Sequence, residues 1–134
     1  MKKLAFLPIA LLAGCAVHAD ETVDVTPGSE ARLASALGGR VPAGPPVACV
    51  RQQDLQGNRI VDERTILFEG PGSTVYVNRT RSACAGMREW HALRLRTIGT
   101  QMCEGELVVA FDANSGIEYG GCSLGQFQPY RRPA

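Results

Sequence analysis

Lysine is almost absent from this 134-residue chain: the only two are Lys2 and Lys3. Aromatics are scarce at 6 %, with one tryptophan, Trp90, so any core must lean on aliphatic residues. Histidine occurs at His18 and His91 alone. No apolar run reaches the roughly 20 residues that a membrane-crossing helix needs. There is no Gly-x-Ser-x-Gly elbow and no Cys-x-x-Cys pair, and Gly70-Pro-Gly72 has no lysine after it. These gaps argue against a serine-hydrolase nucleophile turn, a zinc ribbon and a phosphate-binding loop. With one histidine downstream of residue 18, a histidine dyad or multi-histidine metal centre has little to draw on, and no cofactor or metal is expected.

The N-terminus carries most of the positive information. Met1-Lys2-Lys3 is followed by an apolar run from Leu4 to Leu12 and then by Ala13-Gly14-Cys15. A basic start, a short apolar segment and a small-residue site define a secretory signal. Leu12-Ala13-Gly14-Cys15 resembles the lipobox of bacterial lipoproteins. That resemblance implies cleavage before Cys15, acylation of its thiol, and a membrane partner held through the lipid. Ala16 in place of aspartate after the cysteine implies outer-membrane sorting, with the protein facing the periplasm. The competing reading is ordinary cleavage after Ala19, which gives a soluble periplasmic or secreted protein. Either cut removes both lysines and leaves twelve arginines against thirteen acids. A chain so near neutrality has no electrostatic case for nucleic acid.

Four further cysteines remain: Cys49, Cys84, Cys103 and Cys122. An even number in an exported chain predicts two disulfides, with three connectivities open. The pairing expected here is Cys84–Cys103 with Cys49–Cys122, which would tie the first segment to the last. His91 and spacings of 35, 19 and 19 residues make a poor zinc set.

The organisation reads as residues 1–14 signal, 15–46 lipidated N-terminus and flexible tether, and 47–134 a β-rich disulfide-bonded domain. Within the tether, 29–37 has the pattern of a short helix, with Ser29 as cap and Gly38-Gly39 as stop. Thr65–Glu69 and Val75–Asn78 flank a Gly-Pro turn and read as a hairpin. Alternation predicts Ile66 and Phe68 on one face with Val75 and Val77, and Leu67 and Tyr76 on the other. Further strands are expected at 48–52, 59–61, 92–98, 107–111 and 117–119, with Leu93 and Leu95 sharing a face opposite Arg94 and Arg96. Asp112-Ala-Asn-Ser-Gly116 is a turn signal, and 53–57 and 85–90 suit short helical turns. The expected fold class is mostly β, or β-rich α+β: a small antiparallel sheet, as a partly open barrel or sandwich, with disulfides and one short helix.

Several groups could carry function. Arg79, Arg81, Arg88, Arg94 and Arg96 form the densest basic stretch and are the candidate binding surface; the plainer expectation is a solvated face neutralised by Glu104 and Glu106. Asp62, Glu63 and His91 are the candidates for acid–base chemistry. The plainer expectation is that Asp62 caps turn amides, Arg64 pairs with an acid and His91 is a partly exposed strand residue. Trp90, Tyr76, Tyr119, Phe127 and Tyr130 are candidates for an aromatic patch that meets a glycan or protein. Asn78-Arg-Thr80 matches a glycosylation sequon by chance in a chain with a bacterial signal.

Cys49-Val-Arg, Arg59-Ile-Val-Asp-Glu-Arg-Thr-Ile-Leu-Phe68, Val75-Tyr76 with Asn78, Arg81-Ser-Ala-Cys-Ala-Gly86, Met102-Cys103 and Gly121-Cys-Ser-Leu-Gly-Gln-Phe-Gln-Pro129 occur in that order. Together they resemble a family of short exported bacterial proteins of unknown function, over most of 49–129. Val77 departs from the arginine expected there. The resemblance implies one domain with four structural cysteines and no particular activity. The expectation is therefore an envelope lipoprotein that binds a protein or glycan partner or serves as a structural module, and is not an enzyme. The alternatives are an inhibitor or accessory of a periplasmic hydrolase, projecting Asp54 or Asp112, and a small hydrolase-like enzyme using Asp62, Glu63 and His91.

Overall fold

The apolar run around Ile66-Leu67-Phe68 is buried on both sides, and that fact organises the fold. The computed structural model describes residues 27–134; the signal segment, Cys15 and the Ala19 cleavage position lie outside the described residues. One helix, α1 (Ser29–Leu37), precedes ten strands: β1 (Val41–Pro42), β2 (Cys49–Arg51), β3 (Gly57–Asp62), β4 (Thr65–Glu69), β5 (Val75–Arg79), β6 (Ala92–Arg96), β7 (Gln101–Cys103), β8 (Leu107–Phe111), β9 (Glu118–Ser123) and β10 (Phe127–Arg131). A single 3₁₀ turn occupies Gln52–Asp54. The strands form a five-stranded sheet in the order β1-β10-β5-β4-β3, a three-stranded sheet β6-β8-β9 and a β2-β7 pair. Every paired strand is antiparallel. The fold is thus mostly β with one short helix, and its sheets do not close into a barrel.

Cross-strand neighbours in an antiparallel pair share a face. Ile66 lies opposite Asn78, Phe68 opposite Tyr76, and Leu67 opposite Val77. The face expectation is therefore corrected: Phe68 goes with Tyr76, and Leu67 goes with Val75 and Val77. Ile60, Ile66 and Phe68 join Val50, Met102, Val108 and Phe127 in a core shared with the two smaller sheets. Leu67, Val75 and Val77 join Leu33 and Leu37 in a second core beneath α1. Leu93 and Leu95 do pack inward, with Arg94 and Arg96 exposed.

The segment expected to be a free spacer up to Pro46 is partly folded onto the domain. Ser29, Leu33 and Leu37 fall at i, i+4 and i+8 and form the buried face of α1. A nine-residue helix is marginal alone, whereas burying two leucines contributes roughly 1.5–3 kcal/mol each. Gly38, at φ 58°, terminates it as the sequence predicts. Arg40 Nη1 donates to the Leu37 carbonyl at 2.9 Å and Arg59 Nη2 to the Ala36 carbonyl at 3.0 Å, so two cations neutralise the carbonyl end. β1 then pairs with β10.

Ser29 is not the N-cap; Gly28 is, with no side-chain cap. Ser29 instead hydrogen-bonds the Asp62 carboxylate, which β3 presents beneath the helix start. A bulge makes this possible. Between Ile60 and Asp62 the register slips, so Val61 and Asp62 both turn toward α1 while Ile60 keeps the opposite face.

The disulfides also differ from expectation. Cys49 pairs with Cys103 and Cys84 with Cys122. Cys49 and Cys103 are directly opposed in the β2-β7 pair, so strand pairing dictates that bridge. Cys84, in the loop after β5, is bridged to Cys122 on β9 inside the main core. The links overlap in sequence, which braces the five-stranded sheet's loop against the three-stranded sheet.

Candidate functional site

Residues 80–91 link β5 to β6 without regular structure, yet they are pinned at several points. Thr80 is buried and its Oγ1 donates to the Ser82 carbonyl at 2.7 Å. Cys84 is bridged to β9, and its N–H donates to the Glu63 carbonyl at 2.8 Å. Met87 is buried in the main core. The expected helical turn at 85–90 is a pair of separate turns closed by bonds from Met87 N–H to Cys84 O and from His91 N–H to Arg88 O.

Gly86 sits at the centre of this loop with φ 75°. The Tyr119 side chain lies against it so closely that a Cβ there would come within 2.2 Å of Tyr119 Cγ. Only glycine allows both the backbone conformation and the approach. His91 Nδ1 lies 2.5 Å from the Gly86 carbonyl. A carbonyl only accepts, so Nδ1 carries the proton in this contact. The His91 ring stacks on Tyr119, with centroids 4.8 Å apart and planes inclined by 18°. Trp90 meets His91 edge-on at 5.9 Å and is 71 % exposed. One glycine thus supports an aromatic cluster whose outermost member is the chain's only tryptophan.

Asp112, in the turn after β8, lies within electrostatic range of the cluster's His91. The N–H groups of Asn114 and Ser115 donate to its Oδ1 at 2.8 and 3.3 Å. Those bonds hold its carboxyl below the usual range; slight desolvation opposes them, and the nearby His91 adds to the lowering. The turn is the one the sequence predicts, closed by Gly116 at φ 74°.

The other candidates are dispersed. Of the aromatics, Phe127 is fully buried, Tyr76 packs edge-on against it, and Tyr130 belongs to the core under α1. Outside the core, Trp90 and Tyr119 come together through His91. Of the arginines, Arg79 pairs with Glu30 on α1 at 2.8 Å, Arg81 with Glu104 at 3.1 Å, and Arg94 with Glu118 on β9 while lying over the Phe111 ring. Arg88 and Arg96 are exposed. Three members of the stretch are thus neutralised by acids from α1, the β7–β8 turn and β9. Of the expected acids, only Glu104 takes part; Glu106 accepts the amide of Cys103 at 2.7 Å instead.

Asp62 caps the turn amide of Arg64 at 2.8 Å, as expected. Burial pushes its pKa up, but hydrogen bonds from Ser29 and from the Arg64 and Thr65 amides outweigh that and hold it below the usual carboxylate range. Among the described residues Arg64 pairs with no acid; its Nη2 donates to the Thr80 and Arg81 carbonyls at 3.2 and 3.1 Å. Asp62 is thus engaged beneath α1, while His91 is engaged with Gly86 and Tyr119. Asp54 is tied to Arg51 at 2.8 Å. No group of three or more potential metal ligands occurs among the described residues.

Several residues of the sequence motifs are structural. Ile66, Phe68, Leu124 and Phe127 are core, and Asn78, fully buried, clamps Gly125. Its Nδ2 donates to the Gly125 carbonyl at 2.8 Å and its Oδ1 accepts the Gly125 N–H at 2.9 Å. Sequence reasoning missed the joining of Gly86, His91 and Tyr119, because no local periodicity links residue 91 to residue 119. No protein-family model matches the chain, and neither the curated proteins nor the solved structures compared with it give a match.

Proposed function

We propose that the protein is an exported, non-enzymatic binding module of the bacterial cell envelope. In this reading Cys15 carries the lipid, the segment before α1 spans from the membrane to the domain, and the domain meets an envelope protein or glycan. The observation that supports it best is the cystine-braced loop that holds Trp90 outward. An exposed large aromatic fixed by its neighbours suits recognition better than packing. Two disulfides suit folding in an oxidising compartment outside the cytoplasm. No helix among the described residues is long and apolar enough to cross a membrane, and a lipid would anchor the chain without one. The separate engagements of Asp62 and His91 weigh against the acid–base alternative.

The test is metabolic labelling with a palmitate analogue and membrane fractionation, comparing the native chain with Cys15→Ala. Labelled native protein in the outer-membrane fraction and unlabelled variant in the soluble fraction are the expected results. An unlabelled native chain, or one retained in the cytoplasm, refutes the reading.

A further inference from the structure

The cluster on Gly86 has the parts of a small binding site, and its chemistry selects among ligands. Trp90 touches its neighbour edge-on, so the contact leaves ring surface open, in keeping with its 71 % exposure. His91 and Tyr119 fix its position, and Gly86, Met87 and the Cys84–Cys122 bridge fix theirs. Such a ring loses little conformational freedom when a ligand stacks on it. The carboxylate of Asp112, whose turn lies within electrostatic range of His91, is held ionised by the Asn114 and Ser115 amides and accepts hydrogen bonds without donating them. A matching ligand offers a flat C–H face to the ring and N–H or O–H donors at its edge. An apolar protein hot spot would be sealed by energetically neutral, water-excluding neighbours. Here the residues before Trp90 are Arg88 and Glu89, both charged and exposed. They suit a hydroxyl-rich ligand that stays wet at its rim.

We propose that Trp90, set by His91 and Tyr119 on Gly86, is the stacking platform for a β-linked N-acetylhexosamine glycan, with Asp112 accepting from the ligand's amide or hydroxyl groups. The pyranose ring presents axial hydrogens to the indole face, and the acetamido group supplies a methyl for the aromatic surface and an N–H for the carboxylate. This rests on the binding-module reading above and names its ligand.

The experiment uses the oxidised mature protein and the β-1,4-linked tetramer of N-acetylglucosamine. Because Trp90 is the only tryptophan, its emission reports directly on the site, and calorimetry covers the variant that lacks it. The expected result is saturable binding with a blue shift of Trp90 emission. Affinity should fall about tenfold or more in Trp90→Ala and in Tyr119→Ala, and fall in Asp112→Asn. It should be unchanged in Ile98→Ala, which alters a still more exposed apolar residue elsewhere. Far-UV circular dichroism and absence of free thiols establish that each variant is folded. No saturable binding by the native protein, or equal binding by Trp90→Ala, overturns the proposal. So does a crosslinked protein partner that depends on Trp90 when the tetramer is not bound. Cleavage of the tetramer that depends on Trp90 keeps the platform but refutes the non-enzymatic reading, so the two failures are distinguishable.

Discussion

Asn78 offers the sharpest test of the packing argument. Its amide makes two bonds to one residue, Gly125, at 2.8 and 2.9 Å, and is fully buried. Asn78→Ala leaves the Gly125 N–H and carbonyl without their partners. An unsatisfied buried polar group costs about 1–3 kcal/mol, and Gly125 is half-buried, so water recovers part of it; the expected loss is about 3 kcal/mol. At roughly 2 cal/mol/K per residue, unfolding about 108 residues gives close to 4 °C per kcal/mol, hence a fall in Tm of about 13 °C. Asn78→Asp discriminates further. It still accepts from the Gly125 N–H, but sets an oxygen against the Gly125 carbonyl and buries a charge. At pH 7 it should be less stable than Asn78→Ala. The gap should close on acidification, because burial raises the carboxyl's folded pKa and its stability deficit shrinks as it protonates. Urea unfolding followed by circular dichroism, with Trp90 emission as second probe, measures all three proteins. A loss under about 1 kcal/mol in Asn78→Ala, or native stability in Asn78→Asp at pH 7, would show that the clamp does not hold β5 to the Gly125 turn.

Four other outcomes are expected. Leu33→Ala or Leu37→Ala should cost about 2–5 kcal/mol in urea, and a chain beginning at Val47 should bind an apolar dye through the uncovered Leu67, Val75 and Val77; an unchanged midpoint in both leucine variants would mean α1 is not part of the folded unit. The folded pKa of Asp62 lies below its ordinary 3.8, so its stabilisation is complete above about pH 4 and is lost as pH falls through the folded value; Asp62→Asn should be destabilised at pH 7 with the difference narrowing toward pH 2, and a pH-independent difference refutes the assignment. Mild reductant with mass mapping should open half-exposed Cys49–Cys103 before buried Cys84–Cys122; each bridge contributes roughly 4 kcal/mol in the chain-entropy account, and the reverse order contradicts the burial pattern. Gly86→Ala should displace Tyr119 and shift Trp90 emission, whereas Gly99→Ala, with open space around its Cβ, should leave that emission unchanged.

Local signals in the sequence are legible where one residue's neighbours decide its state. The short helix over 29–37, Gly38 at its stop, the 70–74 turn and the Asp112–Gly116 turn were readable, because left-handed glycine is a short-range effect; the cap was misplaced at Ser29. The face assignment of the β4–β5 hairpin was not. When both faces are buried the alternation signal vanishes, and the turn's register alone decides which side Leu67 takes. β10 was hidden by Pro129, which normally argues against an interior strand. It is tolerated because the residue's carbonyl, and with it the missing N–H, faces the end of two-residue β1, and Ala43 N–H just past that strand donates to the carbonyl at 2.9 Å. The cysteine pairing failed for a related reason: it follows from β2 meeting β7 across 54 residues, which no spacing encodes.

The candidate site shows the same division and gives it a functional sense. Trp90 and Tyr119 were visible as aromatics, and Asp112 as a turn acid, but their meeting depends on the Cys84–Cys122 bridge joining the 80–91 loop to β9. That bridge lies in the main core, where Cys84, Met87 and Cys122 pack together. The loop therefore gains rigidity from the same contacts that stabilise the fold, and the exposed ring inherits it. In a small domain with few aromatics, a structural disulfide and the ordering of the proposed recognition loop are one device: oxidation of Cys84 and Cys122 both closes the core and positions Trp90. The platform should consequently be present only in the oxidised protein, which ties the proposed binding activity to the compartment where the bridge forms.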